Sequence, residues 1–166
     1  MQIILRCYIQ ALDIQRKVLL TWAKKRVRSV SNAWKNYSLY SDLMEIYKEE
    51  EMEAKEYISS ICRKEYTVIL FGSRARGDNK VYSDWDILVI GKEKPPLPPS
   101  SVDLHYVNVD EIEEKIMEFN TIFIDAFYEG KLLCDNLSTY QKIRGKVLER
   151  IKGYKKTREG WFRENH

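Results

Sequence analysis

The sequence from Val68 to Ile90, VILFGSRARGDNKVYSDWDILVI, decides the fold of this chain. It predicts a buried apolar strand, a Gly-Ser turn, one short basic helical turn and a second strand. Asp84 and Asp86 open the second strand, and side chains two residues apart on a strand leave the same face. The stretch therefore predicts that two carboxylates point into one small volume.

These two carboxylates repel each other unless a positive charge lies between them, and hard cations such as Mg²⁺ prefer oxygen ligands. At the preceding turn, Gly72 and Ser73 offer backbone N–H groups and a hydroxyl that suit a phosphate. A phosphate-binding turn beside metal-binding carboxylates indicates chemistry on a nucleotide. The alternative is that Asp84 and Asp86 are ordinary solvated carboxylates at the start of a strand.

Composition sets broad limits on the class of protein. The chain has 166 residues, 32% of them charged and 12% aromatic, which is typical of a globular protein with one core. Its net charge of +3 is too small to argue for nucleic-acid binding by itself, so nucleic acid stays an open question. Because the sequence offers neither a membrane-span length of apolar residues nor a signal-peptide cleavage site, we expect a cytoplasmic protein without membrane contact.

The three cysteines, Cys7, Cys62 and Cys134, are an odd number and lack the spacing of a metal site. This pattern favours a reduced, intracellular protein. We predict that Cys62 and Cys134 are small apolar residues of the core.

Residues 10–40 predict a long amphipathic helix with a basic character. From Ile14 to Ser41 there is no acidic residue, and seven basic ones occur: Arg16, Lys17, Lys24, Lys25, Arg26, Arg28 and Lys35. Such a helix is either a surface for nucleic acid or an acidic partner, or simply a solvated face.

Asp42 and Glu45 have the spacing of a capping box, so a second, acidic helix is predicted from Asp42 to Arg63. If it folds back on the first helix, the opposite charges of the two attract each other. We therefore expect an N-terminal helical hairpin.

Strands are predicted at Thr67–Phe71, Asp84–Ile90 and Val102–Val109. The proline-rich connection Gly91–Ser101 cannot be a helix or a central strand, and it is either a mobile loop or a stiff spacer. We expect a hairpin across this connection to bring the third strand beside the second.

The remaining sequence predicts three further elements. Asp110 and Glu113 cap a helix that ends at Phe119, and Asn120–Asp135 gives a helix, a terminating glycine and a short strand. A basic C-terminal helix over Ser138–Lys156 follows. The aromatic tail at residues 160–162 docks either on the body of the protein or on another subunit.

Three motifs carry a resemblance to a known family: Gly72-Ser73, Arg76-Gly77 and Ser83-Asp84-x-Asp86. Together they resemble the signature of the DNA polymerase beta-like nucleotidyltransferase superfamily, in particular its minimal nucleotidyltransferase branch. The resemblance covers roughly residues 66–136. It implies an α+β nucleotidyltransferase fold, a small mixed sheet flanked by helices, here with the N-terminal helical hairpin and a C-terminal helix.

The resemblance also implies a set of site residues. The catalytic carboxylates would be Asp84, Asp86 and, on the next strand, Asp103. The same three side chains would bind Mg²⁺, and the resemblance implies two such ions. Gly72 and Ser73 would bind the terminal phosphates of a nucleoside triphosphate.

Basic and histidine side chains near these motifs have weaker expected roles. Arg76 is an expected phosphate contact, whereas Arg74 and Lys80 balance nearby acids or assist. His105 is expected to be a structural histidine.

The implied reaction moves a nucleoside monophosphate, AMP from ATP, to an acceptor hydroxyl. Small members of this branch pair with helical HEPN-domain toxins as antitoxins, so a HEPN-type protein is an implied partner and acceptor. The alternatives are a catalytically weak partner-binding antitoxin or nucleotide-binding module, and modification of a small molecule. A homo-oligomer stays open. We expect three parts: a helical segment at 1–63, the nucleotidyltransferase core at 64–136, and the basic helix and tail at 137–166.

Overall fold

The computed structural model of the chain describes residues 37–157 and 159–164. The predicted helix at 10–40, with all seven of its basic residues, lies outside this range except for its last turn. The chain divides into two compact units, residues 1–52 and 53–166. The three-part division expected from the sequence stays a prediction. Within the described part of the chain, no helix combines the length and the apolar character needed to cross a membrane.

The first described helix, α1, spans Tyr37–Ile61 without a break. The prediction that a helix begins at Asp42 is therefore wrong, and the rest of the predicted helical hairpin lies outside the described residues. The capping-box spacing of Asp42 and Glu45 occurs here inside a helix, because backbone hydrogen bonding continues through a residue that could also have capped.

Ten further elements follow in the second unit, and they mix strands and helices along the chain. They are β1 (Tyr66–Phe71), α2 (Gly72–Arg76), β2 (Trp85–Gly91), β3 (Val102–Asn108), α3 (Ile112–Met117), α4 (Thr121–Glu129), β4 (Lys131–Asp135), α5 (Tyr140–Arg150), β5 (Tyr154–Thr157) and β6 (Gly160–Arg163). The first four strands form a sheet in the order β3-β2-β1-β4. The expected α+β class with a small mixed sheet flanked by helices is confirmed.

The sheet is mixed because its strand pairs run in different directions. β1 pairs antiparallel with both β2 and β4, whereas β2 and β3 are parallel. The expected hairpin between β2 and β3 is therefore wrong. The proline-rich connection instead carries the chain back along the sheet, since parallel neighbours need a crossover. On its way it accepts a hydrogen bond at the Pro96 carbonyl from the Tyr57 hydroxyl of α1.

Alternate residues of the central strands face two separate apolar clusters. On one face, Ile69 and Leu88 pack with α3, α4 and α5. On the other, Val68 and Val89 pack with the C-terminal half of α1. The central strands β1 and β2 are thus buried on both sides, which explains their near-continuous apolar sequence.

The helix expected between Asp110 and Phe119 has different bounds in the structure, whereas the next helix ends where it was expected to end. α3 begins at Ile112, after Glu111, so Asp110 does not cap it. α4 is capped by the Asn120 side chain, which accepts from the Ile122 backbone N–H, and it ends before Gly130, as predicted.

The C-terminal helix is shorter than predicted. α5 ends at Arg150, not at Lys156, and the chain then turns into the antiparallel hairpin of β5 and β6. Gly153, at φ +78°, provides the left-handed backbone that starts this turn. The aromatic tail docks on the body of the protein, where the Trp161 indole Nε1 donates to Asp125 Oδ1 over 2.8 Å.

Cys62 and Cys134 form a disulfide, with their Cα atoms 5.8 Å apart. The expectation that these cysteines are reduced is therefore wrong, whereas both side chains do pack against the apolar cluster that contains Val68. Strand pairing places Val68 opposite Cys134, and the Asn136 side chain donates to the Cys62 carbonyl over 2.8 Å. These contacts bring together two cysteines that are 72 residues apart, a proximity that cysteine spacing in the sequence does not reveal.

Candidate active site

Asp86 and Asp103 are direct neighbours on the parallel pair of β2 and β3. Asp86 is also the partner of Phe71, the last residue of β1, on the other side. Asp86 shares its face of the sheet with Leu88 and therefore faces the side of α3 to α5. The structure thus brings two of the three predicted carboxylates together on adjacent strands.

Gly72 follows β1 and lies against the side chain of Asp86. A Cβ atom at this position would lie 2.1 Å from Asp86 Oδ2, and the backbone φ of Gly72 is +69°. Only glycine fits both the left-handed backbone and the close approach. The turn therefore sets the carboxylate of Asp86 directly against the backbone that begins α2.

The environment of Asp86 disfavours its charge. Burial raises the pKa of Asp86, and the negative charges of Asp103 and Asp84 raise it further, while His105 and Arg76 act in the opposite direction. Both of the other predicted carboxylates therefore act electrostatically on Asp86. Like charges gathered in this way are typical of a site that is completed by a cation.

Asp84 lies just before β2, and the turn that holds it is fixed by Arg74. The guanidinium of Arg74 donates to the Ser83 carbonyl through Nε at 3.0 Å and Nη2 at 2.8 Å. It also lies 4.5 Å from the ring centre of Trp85. Arg74 is thus committed to the shape of this turn rather than to a ligand. Lys80, 5.7 Å from the Tyr82 ring centre, makes a looser contact in the same turn.

His105 lies beside Asp103 on the same strand. Its Nε2 is 3.5 Å from Asp103 Oδ2, and its ring centre is 5.4 Å from that of Phe71. The separation from Asp103 is too long for a hydrogen bond. These contacts leave the expectation of a structural histidine in place as a prediction.

The donor set fits the Mg²⁺ that the family implies, since Asp84, Asp86 and Asp103 supply only carboxylate oxygens. Because residue 72 is a glycine, its backbone, and not a side chain, lies next to Oδ2 of Asp86. Among the described residues, however, no three acidic, histidine or cysteine side chains are close enough to form a ready metal cluster. The individual ligands therefore stay predictions.

Arg76 lies at the end of α2 and belongs to a cluster of charges that we call the cation cluster: Arg76, Glu129, Lys156 and Asp125. Arg76 Nη1 lies 2.7 Å from Glu129 Oε1, and Lys156 Nζ lies 2.8 Å from Glu129 Oε2. Lys156 also pairs with Asp125 Oδ1 over 2.9 Å. Two cations thus share one carboxylate.

These pairs shift the protonation of the cluster. Burial by itself would raise the pKa of Glu129, but the hydrogen bonds from Lys156 and Arg76 outweigh it and lower that pKa below its ordinary value. The hydrogen bond to Glu129 raises the pKa of Arg76. Both charges are therefore held firmly in their ionised forms.

A cavity of about 770 Å³ opens beside the cation cluster. Its walls are Phe71, Gly72 and Arg76 on one side, α4 in the middle and the β5–β6 hairpin on the other. Sequence reasoning did not find Asp125, Glu129 or Lys156. A signal did exist, because Gly153 and Gly160 lie on either side of a short segment, and glycines at such positions are typical of turns rather than of a continuing helix.

Comparison with known proteins agrees with this geometry. A family model described as a nucleotidyltransferase domain matches residues 51–156. A protein of Methanocaldococcus jannaschii named "Putative protein adenylyltransferase MJ1305" is 35% identical over 101 residues, which cover 52% of this chain and 67% of that protein. No solved structure matches the chain at a significant level. The family model spans the four-stranded sheet, the three carboxylates and the whole cation cluster, and the chain belongs to the nucleotidyltransferase domain family.

Proposed function

We propose that this protein transfers AMP from ATP to a hydroxyl group of another protein. The single observation that carries the proposal is the pairing of Asp86 with Asp103 on adjacent parallel strands, with Gly72 against Asp86. Membership of the nucleotidyltransferase domain family supports nucleotidyl transfer, and the name of the M. jannaschii relative supports adenylyl transfer to a protein.

In this proposal the acceptor oxygen forms a bond to the α-phosphorus of ATP while the bond between the α- and β-phosphates breaks, and pyrophosphate leaves. Asp103 accepts the proton of the acceptor hydroxyl, since its side chain is 60% exposed and can be reached from solvent. Asp86, half-buried between Gly72 and Asp103, would be the central ligand of a cation rather than a direct contact of the phosphate, because two anions repel each other.

Asp84, Asp86 and Asp103 would hold Mg²⁺, which when bound neutralises charge on the phosphates. Gly72 and Ser73 would lie along the triphosphate. Arg74 positions the chain that carries Asp84 through its two hydrogen bonds to the Ser83 carbonyl. The carboxylates would thus act at the reacting centre, whereas Arg74 would keep the turn that carries Asp84 in place.

The proposed acceptor is a tyrosine or similar hydroxyl on a helical HEPN-type partner, as expected for small members of this family. A partner-binding protein with little turnover is the competing function. Labelled ATP separates the two, because binding does not need the carboxylates whereas transfer does.

The test uses ATP labelled at either the α- or the γ-phosphate, with Mg²⁺, the purified chain and a HEPN-type protein encoded beside it. We expect the α-label to be incorporated into the partner and the γ-label not to be. Mass spectrometry should show a gain of one AMP. Incorporation of the γ-label would contradict nucleotidyl transfer.

Variants decide the role of the carboxylates. Asp86→Asn and Asp103→Asn should each lower transfer by roughly 1,000-fold or more, since a metal-binding carboxylate is lost. Asp110→Asn, an exposed residue after β3, is the matched control and should keep full activity. Tight partner binding without any transfer by the unaltered protein would establish the competing function instead.

A further inference from the structure

We propose that the Cys62–Cys134 disulfide is a redox-sensitive latch, which ties the end of α1 to the strand β4. In the oxidised state the bond holds both elements on the sheet. Reduction by a dithiol loosens them while the rest of the chain stays folded. The inference does not depend on the proposed AMP transfer, because it concerns the stability of these two elements and not the carboxylates.

The position of the bond is the first argument. Cys62 directly follows α1, and its backbone N–H donates to the Ile58 carbonyl in the last turn of that helix over 3.0 Å. Cys134 lies on β4, which is an edge strand of the four-stranded sheet among the described residues. The bond therefore connects a helix end to a sheet edge. Helix ends and sheet edges are places where a folded chain opens locally at low cost.

The pairing of β4 is irregular beside its cysteine, which is the second argument. Val68 lies opposite Cys134, but the next residue of β1, Ile69, lies opposite Leu132, so the register shifts at Leu133. A bulge of this kind interrupts the ladder of backbone hydrogen bonds. The side chains of Leu132 and Leu133 are 40% and 38% exposed, so their burial offsets only part of that loss. β4 therefore depends on its covalent tie.

Hydrogen bonds beside the disulfide provide the third argument, because they keep the two cysteines close after reduction. The Asn136 side chain donates to the Cys62 carbonyl over 2.8 Å and to the Lys64 carbonyl over 2.6 Å. The Asn136 backbone N–H donates to the Tyr66 carbonyl over 3.1 Å. None of these bonds involves sulfur. Two thiols formed by reduction therefore stay near each other, and such proximity favours their rejoining.

Asp135 limits how far the loosening spreads. Its Oδ1 accepts a hydrogen bond from the Thr67 hydroxyl over 2.6 Å. The backbone N–H groups of Thr139 and Tyr140 donate to the same carboxylate, each over 3.1 Å, at the start of α5. These contacts persist whatever the state of the cysteines. We therefore expect reduction to affect β4 up to Cys134 and the last turn of α1, and to spare α5 and the central strands.

The chemical step is thiol–disulfide exchange. A thiolate of the dithiol attacks one sulfur, the S–S bond breaks, and a mixed disulfide forms beside one free protein thiol. The second thiol of the reductant then displaces the other cysteine. The protein gains two electrons and two protons, and the reductant becomes a cyclic disulfide. Both cysteines are half-buried rather than enclosed, so a small dithiol can reach the bond.

The test compares the full chain before and after treatment with dithiothreitol, without denaturant. Cys7, outside the described residues, is replaced in every sample (Cys7→Ser), so that thiol titration counts only the pair. We expect the count to rise from none to two and circular dichroism to show a folded chain. Amide hydrogen exchange at residues 58–61 and 131–134 should accelerate roughly tenfold more than exchange in β2. Since the bond closes a loop of 72 residues, the unfolding temperature should fall by roughly 10 °C.

Reversal of the change is the second measurement. Oxidised glutathione, which is itself reduced to two molecules of glutathione, should return the thiol count to none and restore the slow exchange. Asn136→Ala removes the two side-chain hydrogen bonds, and it should slow this reoxidation severalfold. The double variant Cys62→Ser with Cys134→Ser is the matched control. It should show the fast exchange with and without dithiothreitol.

Three outcomes would overturn the proposal. A bond that dithiothreitol reduces only in denaturant would be a permanent staple and not a latch. A reduced chain that is unfolded throughout would show that the bond holds the whole fold. Equal acceleration of exchange in β4 and in β2 would show that reduction does not loosen β4 locally. The first two measurements use the unaltered pair, so they decide the matter even if the double variant does not fold.

Discussion

Two charged regions meet at Gly72: the carboxylate region, which consists of Asp84, Asp86 and Asp103, and the cation cluster. The two regions balance their charges in opposite ways. On one side, Asp86 is gathered with Asp84 and Asp103, and the pKa of Asp86 rises through burial and like charge. On the other side, Glu129 is shared between Arg76 and Lys156, and its pKa falls. Among the described residues, no cation forms an ion pair with Asp86 in the carboxylate region. In the cation cluster, by contrast, both Arg76 and Lys156 pair with Glu129.

The difference teaches which region depends on an external ion. A carboxylate whose pKa is raised by neighbouring carboxylates, as that of Asp86 is, keeps its charge more easily when a cation joins the group. Paired charges such as Glu129 and Lys156 already have a partner within the protein. Changes in the carboxylate region should therefore affect the reaction, and changes in the cation cluster should affect stability.

Among the changes that leave the carboxylates themselves intact, the largest expected effect comes from Gly72→Ala, which disturbs the carboxylate region at its contact with Asp86. The new Cβ would lie 2.1 Å from Asp86 Oδ2 on a backbone with φ +69°. We expect transfer to fall by about 100-fold or more because Asp86 is displaced, and the free energy of unfolding to fall by about 1–3 kcal/mol. Activity assays and thermal denaturation measure the two effects.

Gly145→Ala is the matched control for that prediction. Gly145 lies in α5, and a Cβ atom at this position would have no neighbouring atom within 4 Å. Alanine there should stabilise the protein by about 0.5–1 kcal/mol, since glycine is unfavourable inside a helix. Equal losses in both variants would contradict the assigned role of Gly72.

Arg74→Met tests whether the carboxylate region needs its supporting turn. The change removes both hydrogen bonds to the Ser83 carbonyl, so Asp84 loses its fixed position. We expect kcat for AMP transfer to fall about tenfold with little change in the KM for ATP. Arg74→Lys should recover only part of the loss, because lysine lacks the fork of two donors.

Lys80→Met serves as the control in the same turn, since its side chain only contacts the Tyr82 ring loosely and its backbone bond to Ser83 Oγ is kept. It should leave kcat unchanged. A rise in KM rather than a fall in kcat for Arg74→Met would show that Arg74 contacts the nucleotide.

Trp161→Phe tests the cation cluster through its support. The variant keeps an aromatic ring against Tyr128 but loses the 2.8 Å hydrogen bond to Asp125. Because the acceptor is charged, we expect the free energy of unfolding to fall by about 1–2 kcal/mol, as measured by chemical denaturation. Phe162→Leu, at a half-exposed position of the same strand, should change that free energy little.

The smallest expected effect is the pH dependence that Glu129 contributes to stability. Because its folded pKa lies below its ordinary value of 4.5, Glu129 stabilises the folded protein above that value. This contribution is lost as the pH falls through the lowered folded pKa. The stability gap between the unaltered protein and Glu129→Gln should be constant from pH 5 to 7 and narrow below about pH 4.5. Chemical denaturation across that range measures it, and a gap that widens in acid would contradict the sign.

Part of the carboxylate region could be predicted from the sequence because its determinants are local. Alternation along one strand predicted that Asp84 and Asp86 share a face, although Asp84 lies just before β2, and the Gly-Ser turn marked the end of β1. Asp103 needed the family resemblance, since its position beside Asp86 depends on the parallel pairing of β2 and β3. That pairing is a property of the long proline-rich connection, whose path no local pattern encodes.

The cation cluster could not be predicted for a different reason. Glu129 and Lys156 are ordinary charges in the sequence, and they meet only because the chain after α5 turns back as a hairpin. The long basic pattern from Ser138 favoured continuing the helix, and helical period extends easily through residues that also suit a strand. Charge pairs that form where the chain folds back in this way depend on tertiary packing rather than on the spacing of residues in the sequence.

The disulfide between Cys62 and Cys134 has a consequence for how the chain comes apart. The proline-rich connection at residues 92–101 lies between the two cysteines, and Leu97 within it is 75% exposed. A protease that cuts there produces two fragments, yet the covalent bridge keeps them together. On a denaturing gel, the cut protein migrates as one species until a thiol reductant breaks the disulfide. Only then do β1 and β2 separate from β3 and β4 as peptides.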